Sequence, residues 1–174
     1  MKNLLMFHLA AAILSALSAQ QDIRKAVCVF QGSNISGSVT FRQDPGENMT
    51  VEGNITGLPK GPHGFHVHQY GDLRNGCAST GGHYNPLNKS HGAPDAAERH
   101  VGDLGNINAS ESGPLSFCLS DQLLNLTGEN SIIGRAIVVH AEEDDLGLGN
   151  HSQSLTTGNA GARLACCVIG IAAS

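Results

Sequence analysis

Positive charge is scarce in this sequence and nowhere concentrated. The 174 residues include only 10 lysines and arginines, no tryptophan and 4% aromatic residues, and the formal net charge is −5. There is no basic tail and no basic patch interleaved with aromatic side chains. Because nucleic acids and heparin are bound through concentrated positive charge, neither is an expected partner. The short uncharged end GIAAS likewise predicts no heparin-binding tail.

Long apolar runs are also missing, apart from LLMFHLAAAILSAL at residues 4–17. This run follows Lys2 and precedes small residues near Ser18, a pattern typical of a secretory signal peptide. A membrane anchor is the alternative interpretation, but a spanning helix needs about 20 apolar residues. We therefore predict a signal peptide over 1–19, a single domain over 20–174 and no membrane partner.

The number of potential N-glycosylation sites in the sequence also indicates a secreted protein. About two N-x-[ST] triplets would arise by chance in a chain of this composition, and an excess is typical of secreted glycoproteins. The sequence therefore predicts a secreted, extracellular glycoprotein. The candidate acceptors are Asn34, Asn48, Asn54, Asn88, Asn108, Asn125 and Asn150.

Helical periodicity and internal repeats are almost absent, and short β-rich runs alternate with Gly, Asn and Asp turns. This pattern predicts an all-β sandwich or barrel of eight strands. Two Gly-rich stretches, 71–102 and 141–162, are long enough to be functional loops. The predicted strands cover 25–31, 36–43, 49–56, 63–70, 103–108, 115–120, 131–140 and 163–171.

Histidines are the most informative residues that the chain does contain. There are 9 of them, and several follow one another at the spacing of metal ligands. His66 and His68 stand at i and i+2 of a predicted strand, so both side chains point to the same face. Each histidine taken alone is more simply explained as a loop or core residue, but the set as a whole is not.

Two ligand groups can be assembled from these residues. Three imidazoles and one carboxylate would form a closed tetrahedral site that suits structural Zn²⁺. Four imidazoles would form the tetragonal nitrogen site that Cu(II) prefers. His83 can serve both ions only if its ring loses both protons. The zinc group is His83, His91, His100 and Asp103, and the copper group is His66, His68, His83 and His140.

Five segments closely resemble the copper/zinc superoxide dismutases, and the resemblance extends from about Lys25 to Ala172. They are GFHVHQYGD (64–72), GCASTGGHYNP (76–86), HGAPDAAERHVGDLGNI (91–107), GRAIVVHAEEDDLG (134–147) and TGNAGARLACCVIGIA (157–172). The resemblance implies a flattened eight-stranded Greek-key β-barrel, one of the sandwich-like architectures, with two long functional loops. It implies the same copper and zinc ligands, with one ion of each per chain.

The implied activity is the disproportionation of two superoxide anions to dioxygen and hydrogen peroxide, with His83 and Arg163 as catalytic residues. Asp144 resembles the family's carboxylate that links a copper histidine to a zinc histidine. His63 is expected to make a structural hydrogen bond. One stretch departs from the family, because neutral residues replace its usual Glu-Glu and Lys. These residues are Ser152, Gln153 and Thr156.

Five cysteines are an odd number for a secreted protein. The resemblance implies a disulfide between Cys77 and Cys166. It also places the first strand beside the last, which would bring Cys28 near Cys167. Either a second disulfide or two buried thiols would result there, and Cys118 is left over.

Assembly and alternative functions also follow from the resemblance. Segments Ile132–Gly134 and Val168–Ile171 correspond to surface through which family members dimerise, so a homodimer is expected, with a tetramer as the larger alternative.

The competing interpretation of the function is a secreted copper- and zinc-binding carrier, or a dismutase-like protein without activity. Replacement of a copper ligand, of His83 or of Arg163 would favour it, and none is replaced.

Overall fold

The computed structural model describes residues 23–111 and 113–173, so the predicted signal peptide lies outside the described residues. The regular elements are ten strands, a 3₁₀ turn (Ala78–Thr80) and a short helix α1 (Ser154–Thr157). The strands are β1 (Lys25–Gln31), β2 (Ser36–Arg42), β3 (Met49–Thr56), β4 (Gly61–His68), β5 (Arg74–Cys77), β6 (Asp103–Ala109), β7 (Leu115–Asp121), β8 (Ala136–His140), β9 (Arg163–Val168) and β10 (Gly170–Ile171).

Two antiparallel sheets share one core. Their strand orders are β10-β1-β2-β3-β7 and β6-β4-β8-β9. The chain crosses between the sheets after β3, β6, β7 and β9, which is Greek-key connectivity. The short β5 belongs to neither sheet, and β10 is a two-residue extension that pairs with β1. The eight remaining strands confirm the predicted eight-stranded Greek-key barrel.

Two predicted strands are shorter than expected. The run 131–140 becomes a strand only at Ala136, because a turn precedes it in which Arg135 N–H donates to the Ile132 carbonyl (3.1 Å). Gly134 adopts φ +79° in that turn, a conformation that favours glycine. The run 163–171 divides at Ile169, where the chain leaves one sheet and joins the other.

Alternating burial builds the core, as expected for sheets with one solvent-facing side. In β3 every second residue is buried, beginning with Met49. Phe65 and Phe117 meet edge to face with ring centroids 5.3 Å apart. Phe117 reaches the core across Gly53, where an added Cβ would lie 2.1 Å from the phenyl ring. The missing side chain of Gly53 therefore allows an aromatic contact between the sheets.

Strands β4 and β8 break the alternation, because both of their faces are buried. All five residues of β8 are buried, as are the last six of β4. The inner face supplies apolar side chains such as Phe65 and Val67 to the core. The outer face carries buried histidines, which the two long loops cover. The loops therefore act as a second layer over this part of the barrel.

Two disulfides tie the last long strand to other parts of the chain. Cys77–Cys166 joins β5 to β9, with Cα atoms 5.6 Å apart. Cys28–Cys167 joins β1 to β9, with Cα atoms 5.4 Å apart. Consecutive strand residues point to opposite faces, so adjacent cysteines reach partners on two sides. Cys118 is the free cysteine among the described residues, and it is exposed.

A buried ion pair joins the loop over the histidines to the end of β7. Arg99 is 0% exposed and Asp121 is 4% exposed. Arg99 Nη2 donates to Asp121 Oδ2 at 2.5 Å, and Arg99 Nη1 donates to the Asp103 carbonyl at 2.8 Å. The other carboxylate oxygen of Asp121 accepts from the N–H groups of Leu123 and Leu124. Removing one partner would leave the other charge buried.

Replacement of Asp121 by alanine should therefore be strongly destabilising. We expect the free energy of unfolding to fall by about 3–5 kcal/mol, because the guanidinium of Arg99 keeps its burial and loses its counter-charge. Urea unfolding of the disulfide-intact protein measures the change. Glu52→Ala is the matched control, since it breaks a half-exposed pair with Arg42 (3.6 Å) and should cost at most about 1 kcal/mol. Equal effects of both variants would contradict the prediction.

The disulfide arrangement predicts a single alkylatable thiol in denatured, unreduced protein, namely Cys118. Peptide mapping with iodoacetamide checks this, provided that fragmentation separates Cys166 from Cys167. Recovery of alkylated Cys28 and Cys167 would contradict the second disulfide. Reduction before alkylation is the control and should label all five cysteines.

Candidate metal centre

Two β-bulges set the positions of the charged site residues. Between β4 and β6 the register passes from Gly64↔Asn106 to His66↔Asp103, so β6 contains one extra residue. Gly105 lies in this bulge with φ +71°. Between β8 and β9 the register passes from Val139↔Ala165 to His140↔Arg163, so Leu164 is the extra residue. The bulges therefore place Asp103 opposite His66 and Arg163 opposite His140.

Four buried histidines form the first ligand group, which has one ligand atom from each within 4.8 Å of the others. His66 and His68 come from the outer face of β4 and His140 from the end of the neighbouring β8. His83 enters from the first long loop, where an isolated β-bridge pairs it with His68. Nε2 of His68 and Nε2 of His140 lie 3.2 Å apart. The structure thus brings together all four residues of the predicted copper group.

The second group surrounds one carboxylate oxygen. Asp103 Oδ1 lies 2.8 Å from Nδ1 of His83 and 3.0 Å from Nδ1 of both His91 and His100. The other oxygen, Oδ2, accepts from the N–H groups of His100 (2.8 Å) and Gly92 (3.2 Å). This is the predicted zinc group, again with all members buried. His83 belongs to both groups, with Nδ1 on this side and Nε2 on the other.

Asp144 connects the two groups. Its Oδ2 lies 2.7 Å from His66 Nε2 and its Oδ1 lies 2.8 Å from His91 Nε2. A carboxylate only accepts hydrogen bonds, so both rings carry their proton on Nε2 and turn Nδ1 toward the ligand groups. Asn106 holds Asp144 in place, since its amide bonds both the N–H and the carbonyl of Asp144 at 2.8 Å.

Burial and charge adjust the protonation of the rings. Burial lowers the pKa of His66 to about 3 and that of His140 to about 4, and the nearby His83 adds to both effects. Burial also lowers the pKa values of His68 and His83. For His91, burial opposes the charge, but the carboxylates of Asp103 and Asp144 outweigh it and raise the pKa to about 9. The first group is therefore neutral imidazole, the form that binds metal ions.

Three buried ring nitrogens make no hydrogen bond among the described residues: His66 Nδ1, His83 Nε2 and His91 Nδ1. His91 Nδ1 lies 3.0 Å from Asp103 Oδ1 without the alignment of a hydrogen bond. Unpaired polar atoms are rare in protein interiors because they are costly there. Here each one faces a ligand group, where a metal ion would satisfy it. Four imidazole nitrogens suit Cu(II), and three imidazoles with one carboxylate suit Zn²⁺. The residues present therefore fit both ions.

Arg163 lies beside the first group, half-buried. Its guanidinium is held by the chain around Cys77: Nη1 donates to the Cys77 carbonyl (2.7 Å) and Nη2 to the Gly81 carbonyl (2.7 Å). Its positive charge contributes to the lowered pKa values of His68 and His140. Arg163 thus supplies a fixed cation next to these rings.

Other histidines lie where the sequence suggested. His63 is buried, and its ring nitrogens lie 2.8 Å from the carbonyls of His140 and Pro59. His151 is exposed in the second long loop, and His8 lies outside the described residues. Ser152, Gln153 and Thr156 are exposed in the same loop. These three neutral residues therefore stand at the surface around α1.

Some contributors were not foreseen from the sequence. Asn106 lies in β6 and Thr80 in the turn after Cys77, and neither type of residue is a usual metal ligand. Arg99 was easier to notice in the sequence, because it is a charged residue directly before the predicted ligand His100 in a loop rich in glycine. The contacts of all three depend on chain segments distant in sequence, which no local pattern reports.

Comparison with known proteins agrees with this geometry. Residues 35–169 match the family model for copper/zinc superoxide dismutase. Among solved structures, the crystal structure of a protein described as the clock protein EA4 is similar, with 48% sequence identity and a TM-score of 0.83. The match covers 86% of this chain and 95% of that chain.

Loss of one histidine from either group should affect one metal and spare the other. His140→Ala removes a ligand of the first group only, and His100→Ala removes one of the second group only. We expect copper affinity to fall in the first variant and zinc affinity in the second, each by more than the 10–100-fold typical of an outer-shell change. Equilibrium dialysis with elemental analysis measures both. Loss of both metals to the same extent in each folded variant would contradict the assignment.

Proposed function

The chain belongs to the copper/zinc superoxide dismutase family, and from this premise we propose that it disproportionates superoxide outside the cell. The observation that carries the proposal is the pair of buried ligand groups joined through one ring, His83, with Arg163 next to the first group. Every residue that the resemblance assigns to the reaction is present, which supports the proposal. No helix of the described residues is long and apolar enough to span a bilayer.

Each ion would be held by defined atoms. His66 Nδ1, His83 Nε2 and the Nε2 atoms of His68 and His140 would hold copper, since their other nitrogens bond to Asp144, Asp103, Gly81 and Gly161. Nδ1 of His83, His91 and His100 and Oδ1 of Asp103 would hold zinc. For the copper group and His91 these choices follow from the hydrogen bonds of the opposite ring nitrogens. For His83 and His100 on the zinc side they follow from the approach of Nδ1 to Asp103 Oδ1. Asp144 would orient rings in both groups, as outer-shell carboxylates do at metal sites.

Copper, when bound, supplies the electron transfer, which oxidises one superoxide to dioxygen and reduces a second to hydrogen peroxide with two protons from solvent. His83 is placed to handle one of these protons, because its Nε2 faces the first group while Nδ1 is occupied on the other side. A proton held at Nε2 can pass to the reduced anion, and the ring can then take up another proton from solvent.

Arg163 binds and orients the anion in this proposal. Glu142 packs against Gly161, where an added Cβ would meet its Cγ at 2.6 Å, and its negative charge cannot attract an anion. The exposed loop positions 152, 153 and 156 are neutral. Because steering depends on the field of several charges, attraction should depend on Arg163 more than on the loop. Electrostatic guidance is therefore short-ranged in this chain.

Secretion is supported by two features of the described residues. Two disulfides stabilise the barrel, and disulfides persist mainly in oxidising compartments. Six of the seven candidate glycosylation asparagines are exposed, so glycans would point to solvent. Asn125 is the exception, because its Nδ2 donates to the Leu123 carbonyl (3.2 Å) and its Oδ1 accepts from Gln43 (3.1 Å). We propose that Asn125 stays unmodified.

A homodimer is proposed through the apolar groove between β1 and β9. The groove is lined by Val29, Leu73, Leu164 and Val168, which are 36–47% exposed. Exposed apolar surface of this kind is typical of subunit contacts. Of the segments named from the sequence, Ile132 and Ile169 are buried in the core and cannot contribute, whereas Val168 and Ile171 are exposed.

A second candidate is a protein of this fold that binds metal but works through a partner instead of catalysis. It is favoured by the similar solved structure, since that protein is described as a clock protein. The two candidates differ in one measurable property. Only the enzyme accelerates the disappearance of superoxide.

The function is tested on purified, glycosylated protein loaded with one equivalent each of copper and zinc. We expect superoxide, generated by pulse radiolysis, to decay far faster than in buffer, with one hydrogen peroxide formed per two superoxide ions. Protein loaded with zinc alone is the control and should be inactive. Decay at the rate of buffer, with both metals bound, would favour the second candidate.

Arg163→Glu should lower the second-order rate with superoxide by at least about tenfold, because the charge that attracts the anion becomes repulsive. The same variant should lose or invert the dependence on ionic strength. In wild type, this dependence should be shallow, as expected where only one nearby cation guides the anion. Rates measured from about 10 to about 300 mM salt, a range over which the screening length falls several-fold, check both parts. A steep decline in wild type would contradict the short-range guidance.

Sedimentation of deglycosylated protein at micromolar concentration tests assembly. We expect a dimer in wild type and a monomer for Val168→Glu, since a charge in the groove would be desolvated at the contact. Leu148→Glu is the control, because Leu148 is 84% exposed and lies outside the groove. A monomeric wild type would remove the proposed dimer.

A further inference from the structure

Thr80 ends the 3₁₀ turn that follows Cys77, and its side chain is completely buried. It is not a ligand of either metal group. The residues before it in the turn, Ala78 and Ser79, are not buried. A buried hydroxyl must be satisfied by hydrogen bonds, so its partners show what it does.

Three polar groups surround Thr80 Oγ1. The hydroxyl donates to the Cys77 carbonyl (2.9 Å). It lies 3.0 Å from Arg163 Nη1, which donates to it. His68 Nδ1 lies 3.2 Å away and shares its proton between Thr80 and the Gly81 carbonyl (2.9 Å). The one hydroxyl therefore contacts both the proposed anion-binding arginine and a proposed copper ligand.

All the hydrogen-bonding sites of the Thr80 hydroxyl are used. A hydroxyl has one donor and two acceptor sites, and the carbonyl of Cys77, the guanidinium of Arg163 and the ring of His68 use all three. Accepting from His68 Nδ1–H keeps the proton there and leaves Nε2 free as a ligand. Neither valine nor alanine at position 80 could make any of these bonds.

The same bonds limit how Arg163 can rotate. Nη1 has two hydrogens, which go to the Cys77 carbonyl (2.7 Å) and to Thr80, and one hydrogen of Nη2 goes to the Gly81 carbonyl (2.7 Å). Among the described residues, two of the five donors of this guanidinium remain without a partner, Nε–H and the second hydrogen of Nη2. These are the donors that can bind an anion beside the first group.

We propose that Thr80 is a positioning residue, whose hydroxyl holds the Arg163 guanidinium and the His68 ring in one fixed arrangement for anion binding. The inference rests on the proposed function, because it concerns the same site. The bond to the Cys77 carbonyl alone would be a local turn contact, common for threonine. The bonds from Arg163 and His68 come from strands distant in sequence and give the hydroxyl its further role.

Three variants of Thr80 distinguish the effect of its hydroxyl from the effect of its side-chain size. Thr80→Val keeps the shape and removes the hydroxyl, and Thr80→Ser keeps the hydroxyl and should behave as wild type. Thr80→Ala replaces the valine variant if thermal unfolding shows that valine is not accommodated. Thr156→Val is the matched control, because it removes a hydroxyl bonded to the Gln153 carbonyl (3.0 Å) in α1, outside the site.

The first measurement needs no metal. In metal-free, ¹⁵N-labelled protein, NMR exchange spectroscopy reports the rotation of the Arg163 guanidinium about its Nε–Cζ bond. We expect Thr80→Val to accelerate this rotation about fivefold, the effect of one hydrogen bond of ordinary net strength on a rate. Thr80→Ser and Thr156→Val should leave it unchanged.

The second measurement uses copper-loaded protein and azide as the anion. Optical titration should show azide binding about fivefold weaker in Thr80→Val than in wild type, and the Cu(II) electron paramagnetic resonance spectrum should change with the His68 ring. Thr80→Ser should restore both. Unchanged rotation together with unchanged azide affinity in Thr80→Val would overturn the inference. If wild type binds no copper, the proposed function fails, and the metal-free arm still decides the role of Thr80.

Discussion

Six buried imidazole rings lie in one layer between the outer face of the β4–β8 ladder and the two long loops. Their neighbouring centroids are 4.0–6.4 Å apart. Positive charge cannot spread over so many buried rings, since desolvation and mutual repulsion both disfavour it. The rings are therefore mostly neutral, and neutral imidazole nitrogens are suited to bind metal ions, since a ligand nitrogen must be neutral or deprotonated. The barrel, the loops and their anchors all serve to maintain this layer.

Two carboxylates offset the cost of burying the histidine rings by accepting hydrogen bonds from them and balancing their charge. Asp103 faces three rings and Asp144 faces two, and the histidines hold the pKa values of both carboxyl groups well below their usual range, despite the opposing effect of burial. Both groups therefore carry negative charge at every relevant pH. Asp103 balances the group around His91 and His100, while Asp144 links that group to His66. The two ligand groups are thus one electrostatic unit.

Covalent and ionic anchors keep the loops over this unit. The Cys77–Cys166 disulfide closes a span of 89 residues, which on the chain-entropy model contributes roughly 4 kcal/mol. It also fixes the carbonyls that hold Arg163, so the same segment that stabilises the fold orients the cation proposed to bind the anion. The buried pair of Arg99 and Asp121 attaches the other part of the loop to β7. Stability and function therefore depend on the same loop contacts.

Local patterns were sufficient for most strands and for the predicted ligand histidines, because alternation and ligand spacing are properties of neighbouring residues. The family was indicated by the resemblance of five segments. The shorter strand before His140 and the division at Ile169 escaped them, since bonds between distant segments meet there: Gly134 N–H donates to the Ile169 carbonyl and Ile169 N–H to the Arg135 carbonyl, both at 2.8 Å. Sequence by itself determined which residues can bind metal. Tertiary structure alone decided which ring nitrogen faces which group, that bulges set Asp103 and Arg163 beside the histidines, and that Thr80 joins them. Those outcomes depend on pairing register and on burial, which arise only when the sheets close around one core.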